Sequence, residues 1–78
     1  MPKVTVYSLP SNCQMCVATK RWLAANAKEH EYEVKNALDY PDLVDKYNIR
    51  QAPVVVLESG EPFGGYRPDL LQQIFSGS

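Results

Sequence analysis

The alternation of apolar and polar positions along the chain predicts four strands. Runs rich in β-branched and aromatic residues, bounded by turn residues, indicate strands over residues 4–7, 53–57 and 62–63. A further strand is predicted where Tyr32 and Val34 alternate with charged residues, a pattern typical of a half-exposed strand. The run over residues 53–57 is apolar throughout, which favours a strand covered on both faces.

Three helices are predicted between and after these strands. The first spans residues 13–27 with Asn12 as its N-cap, and the second and third begin at Pro41 and Pro68, because proline is favoured in the first turn. Apolar positions at helical spacing place two stripes on the first helix. One stripe comprises Met15, Ala18, Trp22 and Ala25, and the other Cys16, Leu23 and Ala27. The predicted order is β-α-β-α-β-β-α, that of an α/β protein.

Composition and charge narrow the class of protein. A chain of 78 residues that is 45% hydrophobic supports one small core, so we expect a single domain over residues 1–78. Eight basic and nine acidic residues, scattered singly, leave no basic field for nucleic acid or an anionic membrane. The longest apolar run is too short to span a bilayer, and no export signal is visible at the N-terminus. These features predict a cytoplasmic domain.

The chain has two cysteines, Cys13 and Cys16, and their spacing favours chemistry over a structural role. A bridge between them would close a very small loop and would tie no two elements together. If a helix begins near Cys13, its unpaired N–H groups and dipole favour a thiolate there, and thiolate is the nucleophile. Cys16 lies one turn further and could displace a mixed-disulfide partner, so Cys13 would attack and Cys16 would resolve. A zinc site would need more ligands than His30 and carboxylates readily supply, and a soft-metal carrier usually has the order β-α-β-β-α-β.

Three segments resemble the glutaredoxin-like NrdH redoxins. Residues 13–20 match their C-x-x-C-x-A-T-K stretch, residues 51–55 their Q-A-P-V-V segment, and residues 63–69 are similar to their W-S-G-F-R-P-[DE] signature. The matches occur in the right order over nearly the whole chain. The departures from the signature include Phe63 and Gly64 in place of Trp and Ser, and Leu9 stands near the place where the family usually has a cation.

The resemblance implies a thioredoxin/glutaredoxin fold with a four-stranded mixed sheet and three helices. It implies a monomeric dithiol electron donor without a bound cofactor, which reduces class Ib ribonucleotide reductase and is recharged by thioredoxin reductase. Pro53 would be a cis-proline that leaves the backbone of Ala52 free to pair with a partner's extended chain. Gly64 and Gly65 would let another segment approach closely, and Arg67 would hold that loop by hydrogen bonds or meet an acidic partner. With Cys13 and Cys16 catalytic, the expected partner-binding residues are Gln14, Met15, Ala52, Pro53, Gly64, Gly65, Tyr66 and Arg67.

Two other functions stay open at this point. Gly64 and Gly65 are similar to the glycine pair of glutathione-dependent glutaredoxins, in which a downstream aspartate holds the glutathione amine. Asp69 lies somewhat late for that role, and the neighbouring Arg67 and Pro68 favour the NrdH side. The second alternative is a metal- or iron–sulfur-binding module built on the same cysteine pair.

Overall fold

The computed structural model describes residues 2–76, and within them four strands and three α-helices follow one another in the predicted order. Two short 3₁₀ turns flank the second strand. The elements are β1 (Val4–Ser8), α1 (Gln14–Asn26), β2 (Tyr32–Asn36), α2 (Leu43–Tyr47), β3 (Val54–Leu57), β4 (Pro62–Gly64) and α3 (Pro68–Ser76).

The strands form one mixed sheet in the order β2-β1-β3-β4. β1 pairs in parallel with β2 and antiparallel with β3, and β4 closes the other side antiparallel to β3. Val6 lies opposite both Val34 and Val55. Because successive side chains of a strand point to opposite faces, this register divides the sheet into two faces of different character. The mixed sheet with three helices confirms the predicted thioredoxin/glutaredoxin-like fold.

α1 and α3 cover one face, which we call the helix-pair face. Its centre consists of five side chains with no solvent exposure, namely Val4, Val6, Leu23, Val55 and Leu71. The rings of Trp22 and Phe75, 5.8 Å apart, join the two helices at the edge of this core. Burying such side chains supplies most of the favourable free energy of folding.

One of the two stripes predicted on α1 is wrong. Cys16 and Leu23 are buried as expected, and Thr19 joins them. In the other stripe Met15 is 46% exposed, and Ala25 is also exposed. The buried residues of α1 follow the line of Cys16 and Leu23, whereas Trp22 of the other stripe packs against Phe75 of α3.

The opposite face carries α2, and we call it the α2 face. Leu43 of α2 lies with Tyr7 and Val54 of the sheet around an apolar cavity of about 210 Å³. α2 begins at Leu43, later than the predicted start at Pro41, because residues 40–43 form a turn in which the Leu43 N–H donates to the Tyr40 carbonyl. Helix α3 begins at Pro68, as predicted.

Candidate redox site

Cys13 caps the N-terminus of α1. Its backbone is extended, and its Sγ accepts a hydrogen bond from the Cys16 N–H at 3.1 Å. The sulfur thus takes the place of the Ser or Asp oxygen that usually satisfies an unpaired N–H there. The prediction that Asn12 is the cap is wrong, because Asn12 adopts the left-handed conformation (φ 57°) and turns the chain into the cap residue. Asparagine tolerates this conformation better than most residues.

Cys13 and Cys16 form a disulfide with a Cα–Cα distance of 5.2 Å. The two sulfurs have different surroundings. Cys13 is half-buried, whereas Cys16 is only 1% exposed and its Sγ accepts the Leu9 N–H at 3.4 Å. A partner approaching from solvent therefore meets Cys13 first.

The surroundings of Cys13 are uncharged. A shallow depression at this residue is lined by Asn12, Gln14 and Val17, none of which carries a charge. A thiolate at Cys13 would be stabilised by backbone N–H groups at the start of α1. Leu9, which replaces the cation usual in the NrdH redoxins, contributes its backbone N–H to Cys16.

Gly65 is the point where three segments of the chain meet. A Cβ built on Gly65 would lie 3.2 Å from the Met15 Sδ and 3.1 Å from the Gln51 Oε1. The φ of Gly65 is +78°, a left-handed conformation that favours glycine. The start of α1, the loop before β3 and the loop after β4 are thus brought together at one rim.

Gly64 also permits a close approach, and the approaching segment belongs to this chain. A Cβ on Gly64 would collide with the Ile49 Cγ2 and lie 3.2 Å from the Gln51 carbonyl oxygen. Sequence reasoning missed Ile49 and Gln51 as parts of the site. Gln51 lies within the Q-A-P-V-V segment and could have been suspected, but no sequence signal points to Ile49.

The peptide bond between Ala52 and Pro53 is cis, which confirms the isomer that the resemblance implied. Pro53 is buried just before β3, and its carbonyl accepts the Gly65 N–H at 3.0 Å. Ala52 is half-buried, and its backbone makes no hydrogen bond with the chain between residues 2 and 76. Its N–H and C=O are therefore available to an incoming chain.

The two remaining predicted contact residues, Tyr66 and Arg67, have internal partners. Tyr66 is half-buried and packs against the core of the helix-pair face. Arg67 forms a two-point pair with Asp69, with Nε–Oδ1 and Nη2–Oδ2 distances of 3.2 and 3.0 Å. Hydrogen bonds from Arg67 lower the pKa of Asp69, and the same pair raises the pKa of Arg67. The Asp69 carboxylate is therefore already engaged.

No protein-family model and no curated protein matches the chain. Solved structures do match. A structure of the thioredoxin-like protein BC3987 is 32% identical over 92% of this chain and 99% of that chain, with a TM-score of 0.73. A variant of BC3987 is 31% identical over 97% of both chains, with a TM-score of 0.75.

This chain belongs to the thioredoxin-like proteins. The glutaredoxin-like NrdH-redoxin of Escherichia coli also matches, at 27% identity over 90% of this chain and 91% of that chain, with a TM-score of 0.72. The neighbours and the Cys13–Cys16 pair together confirm the predicted resemblance to an NrdH-type redoxin. The thioredoxin-like fold and the CxxC pair support thiol–disulfide oxidoreductase chemistry in general.

Two further properties concern metal ions and membranes. Between residues 2 and 76, no three or more His, Cys, Asp or Glu residues are grouped as metal ligands would be. None of the helices in this described part of the thioredoxin-like chain has the length and apolar character needed to cross a bilayer.

Proposed function

We propose that this thioredoxin-like protein is a dithiol electron donor in which Cys13 is the nucleophile and Cys16 the resolving cysteine. One observation carries the proposal: the disulfide lies at the N-terminus of α1, with Cys13 partly accessible and Cys16 buried. The accessible sulfur can attack a partner, and the buried one can act only after that attack.

The reaction balances without a bound cofactor, because the two thiols hold the electrons. The Cys13 thiolate attacks one sulfur of a partner disulfide, and the other partner sulfur leaves as a thiolate. Cys16 then loses its proton and attacks the Cys13 Sγ, which releases the second partner sulfur. The partner gains two electrons and, after protonation, two thiols, and this protein is left with the Cys13–Cys16 disulfide.

The partner would dock on the rim around Cys13. Gln14 and Met15 are exposed beside the cysteines, and the unpaired backbone of Ala52 offers hydrogen bonds to an extended chain. Pro53, Gly64 and Gly65 would set the shape of this surface through their close backbone contacts. Tyr66 and Arg67 would act chiefly by holding the loop between β4 and α3 in place. A flexible methionine suits a surface that meets more than one partner.

We propose class Ib ribonucleotide reductase as the electron acceptor and thioredoxin reductase as the reductant, with this protein acting as a cytoplasmic monomer. The E. coli NrdH-redoxin is described as glutaredoxin-like with a thioredoxin-like activity profile, which supports this choice. The pairing of Asp69 with Arg67 also supports it, because that carboxylate is not free to hold the glutathione amine. Cytosol keeps thiols reduced, as a donor of this kind requires.

Reduction assays test the choice of reductant. We expect the oxidised protein to be reduced rapidly by NADPH with thioredoxin reductase, and slowly by glutathione with glutathione reductase and NADPH. The reduced protein should also support turnover of class Ib ribonucleotide reductase as sole electron donor. The alternative is a glutathione-dependent glutaredoxin, and the glycine pair Gly64 and Gly65 is the feature that speaks for it. Rapid reduction in the glutathione assay, with no reduction in the thioredoxin reductase assay, would establish that alternative.

A pair of cysteine variants tests the roles of the two sulfurs. Cys16→Ser should accumulate a mixed disulfide through Cys13 with an oxidised protein partner, detected as a covalent adduct by mass spectrometry. Cys13→Ser should form such an adduct at least about 100-fold more slowly, because the remaining thiol is buried and lacks the N-terminal helix position. Equal rates for the two variants would contradict the assignment. Metal analysis of the reduced protein addresses the third function, since stoichiometric zinc, copper or iron would favour a metal-binding module.

A further inference from the structure

Thr19 has a buried hydroxyl that takes no part in the proposed exchange between Cys13, Cys16 and a partner disulfide. The residue has no solvent exposure, and its Oγ1 has no hydrogen-bond partner among residues 2–76. A threonine within a helix commonly donates to a carbonyl three or four residues earlier, and Thr19 makes no such bond. Leaving a buried hydroxyl unpaired costs free energy. We therefore ask whether this hydroxyl finds a hydrogen-bond partner in the reduced form of the protein.

Cys16 is the buried neighbour of Thr19 one turn earlier on α1. Thr19 follows Cys16 by three positions on α1, and both residues belong to the buried side of the helix. Side chains three apart on a helix have Cβ atoms about 5–6 Å from one another, and each lies over the turn that precedes it. Thr19 therefore lies over the turn that contains Cys16, with each heteroatom one bond beyond its Cβ.

The Cys16 sulfur differs between the oxidised and the reduced protein. In the disulfide it is bonded to the Cys13 Sγ and carries no proton. Reduction by a dithiol breaks the bond and adds two electrons and two protons, which leaves a thiol at each cysteine. A thiol is a weak donor and acceptor. On reduction the buried Cys16 sulfur, which accepts the Leu9 N–H in the disulfide, therefore gains a proton to donate and the freedom to turn away from Cys13.

We propose that the Thr19 hydroxyl is the hydrogen-bond partner of the Cys16 sulfur in the reduced form. The inference rests on the proposed cycling of Cys13 and Cys16 between dithiol and disulfide. Thr19 is then a positioning residue, which holds the resolving sulfur beneath Cys13 until a mixed disulfide forms. Its hydroxyl is satisfied in the dithiol and unpaired in the disulfide, so its presence favours the reduced form.

Redox equilibrium measures this bias directly. The protein is equilibrated with mixtures of reduced and oxidised dithiothreitol, and the reduced fraction is counted by alkylation and mass spectrometry. Thr19→Val keeps the shape and removes the hydroxyl, so we expect the constant for reduction to fall about 3- to 10-fold, tenfold being about 30 mV. Thr19→Ser keeps a hydroxyl and should stay close to the wild-type constant.

Thr5→Val is the matched control. It makes the same chemical change at a half-buried position of β1, where the neighbouring strand residues are Glu33 and Val56, and it should leave the equilibrium unchanged. Thr19→Ala is a second way to remove the hydroxyl and serves if Thr19→Val does not fold.

The outcomes separate this inference from the proposed function. A constant for Thr19→Val and Thr19→Ala equal to wild type, or one shifted toward the reduced form, would overturn the role of the hydroxyl. An equal shift in Thr19→Ser would also overturn it, since packing would then explain the effect. If the wild-type Cys13–Cys16 pair cannot be reduced by dithiothreitol at all, the dithiol function itself fails.

Discussion

The two faces of the sheet are packed to different degrees. On the helix-pair face, five side chains are wholly removed from solvent beneath α1 and α3. On the α2 face, a helix of five residues leaves a cavity of about 210 Å³, and Val44 of this helix is 42% exposed. Stability should therefore be concentrated on the helix-pair face.

The candidate site draws on both faces. α1, which contains Cys16 and is capped by Cys13, is anchored on the helix-pair face through Leu23. The other side of the site is formed by Ile49, Gln51 and Gly64, which approach one another closely. Ile49 and Gln51 also line the cavity on the α2 face. The comparison teaches that the sulfurs are held by the well-packed part of the molecule, while the surface that would receive a partner belongs to the less tightly packed part.

The largest expected effect is on stability at the helix-pair face. Leu71→Ala removes a side chain with no exposure and should lower the free energy of unfolding by about 2–5 kcal/mol, because it leaves a cavity in the core. Leu38→Ala makes the same change at an exposed position and should cost no more than about 0.5 kcal/mol. Denaturant unfolding of the oxidised proteins measures both. Similar losses in the two variants would show that burial in the core of the helix-pair face does not set the contribution of Leu71.

An intermediate effect is expected at the rim. Gly64→Ala would drive a Cβ into Ile49 and the Gln51 backbone, so we expect a loss of about 1–3 kcal/mol and slower exchange with a protein disulfide. Gly60→Ala is the control, because a Cβ there meets nothing within 4 Å. An alanine at the Gly60 φ of +99° should still lower the free energy of unfolding by about 1 kcal/mol. Because Gly60 lies in the turn between β3 and β4, at the end of these strands away from Pro53, the rate of disulfide exchange should not change.

The rates decide between the two explanations for any change in activity. If Gly60→Ala slows disulfide exchange as much as Gly64→Ala does, the effect follows stability and the packing of residues 49–51 does not shape the site. Exchange rates should be compared at a temperature where both variants are fully folded by circular dichroism.

The smallest effect concerns the pH dependence of stability at Glu31, in the 3₁₀ turn that precedes β2. The Lys28 N–H donates to Glu31 at 2.8 Å and, with a smaller contribution from Lys3, lowers the pKa of Glu31. A lowered carboxyl pKa contributes stability above the ordinary value of about 4.3, and that stability is lost as the pH falls through the folded-state pKa. Glu31→Gln should therefore lower the Tm slightly at pH 7, and the difference should shrink as the pH falls below about 4.3. Glu58→Gln, an exposed carboxylate in the β3–β4 turn, is the control. A Glu31→Gln difference that does not shrink with falling pH would contradict the electrostatic origin.

Much of the architecture was predictable because it is encoded locally. Helical spacing, turn residues and the proline at Pro68 mark the elements, and the apolar run before Leu57 marks the buried strand. The prediction of Asn12 as the cap was wrong because asparagine is favoured both as a helix cap and in the left-handed conformation. Which of the two it adopts depends on the path of the chain that enters the helix. The predicted start of α2 was wrong because residues 40–43 form a turn. The prediction that Met15 and Ala25 lie on a buried stripe of α1 was wrong because burial depends on which neighbours pack against the helix.

By itself the sequence determined the order of the elements and the cysteine pair one helical turn apart, since both follow from spacing over a few residues. Only the tertiary structure decided that Cys16 is buried and Cys13 half-buried, and that Met15 and Gln51 meet over Gly65. It also decided that the Thr19 hydroxyl is buried and has no hydrogen-bond partner within residues 2–76. These relations join segments far apart in the chain or depend on complete burial. They are set by packing against the sheet, which no local pattern of residues specifies.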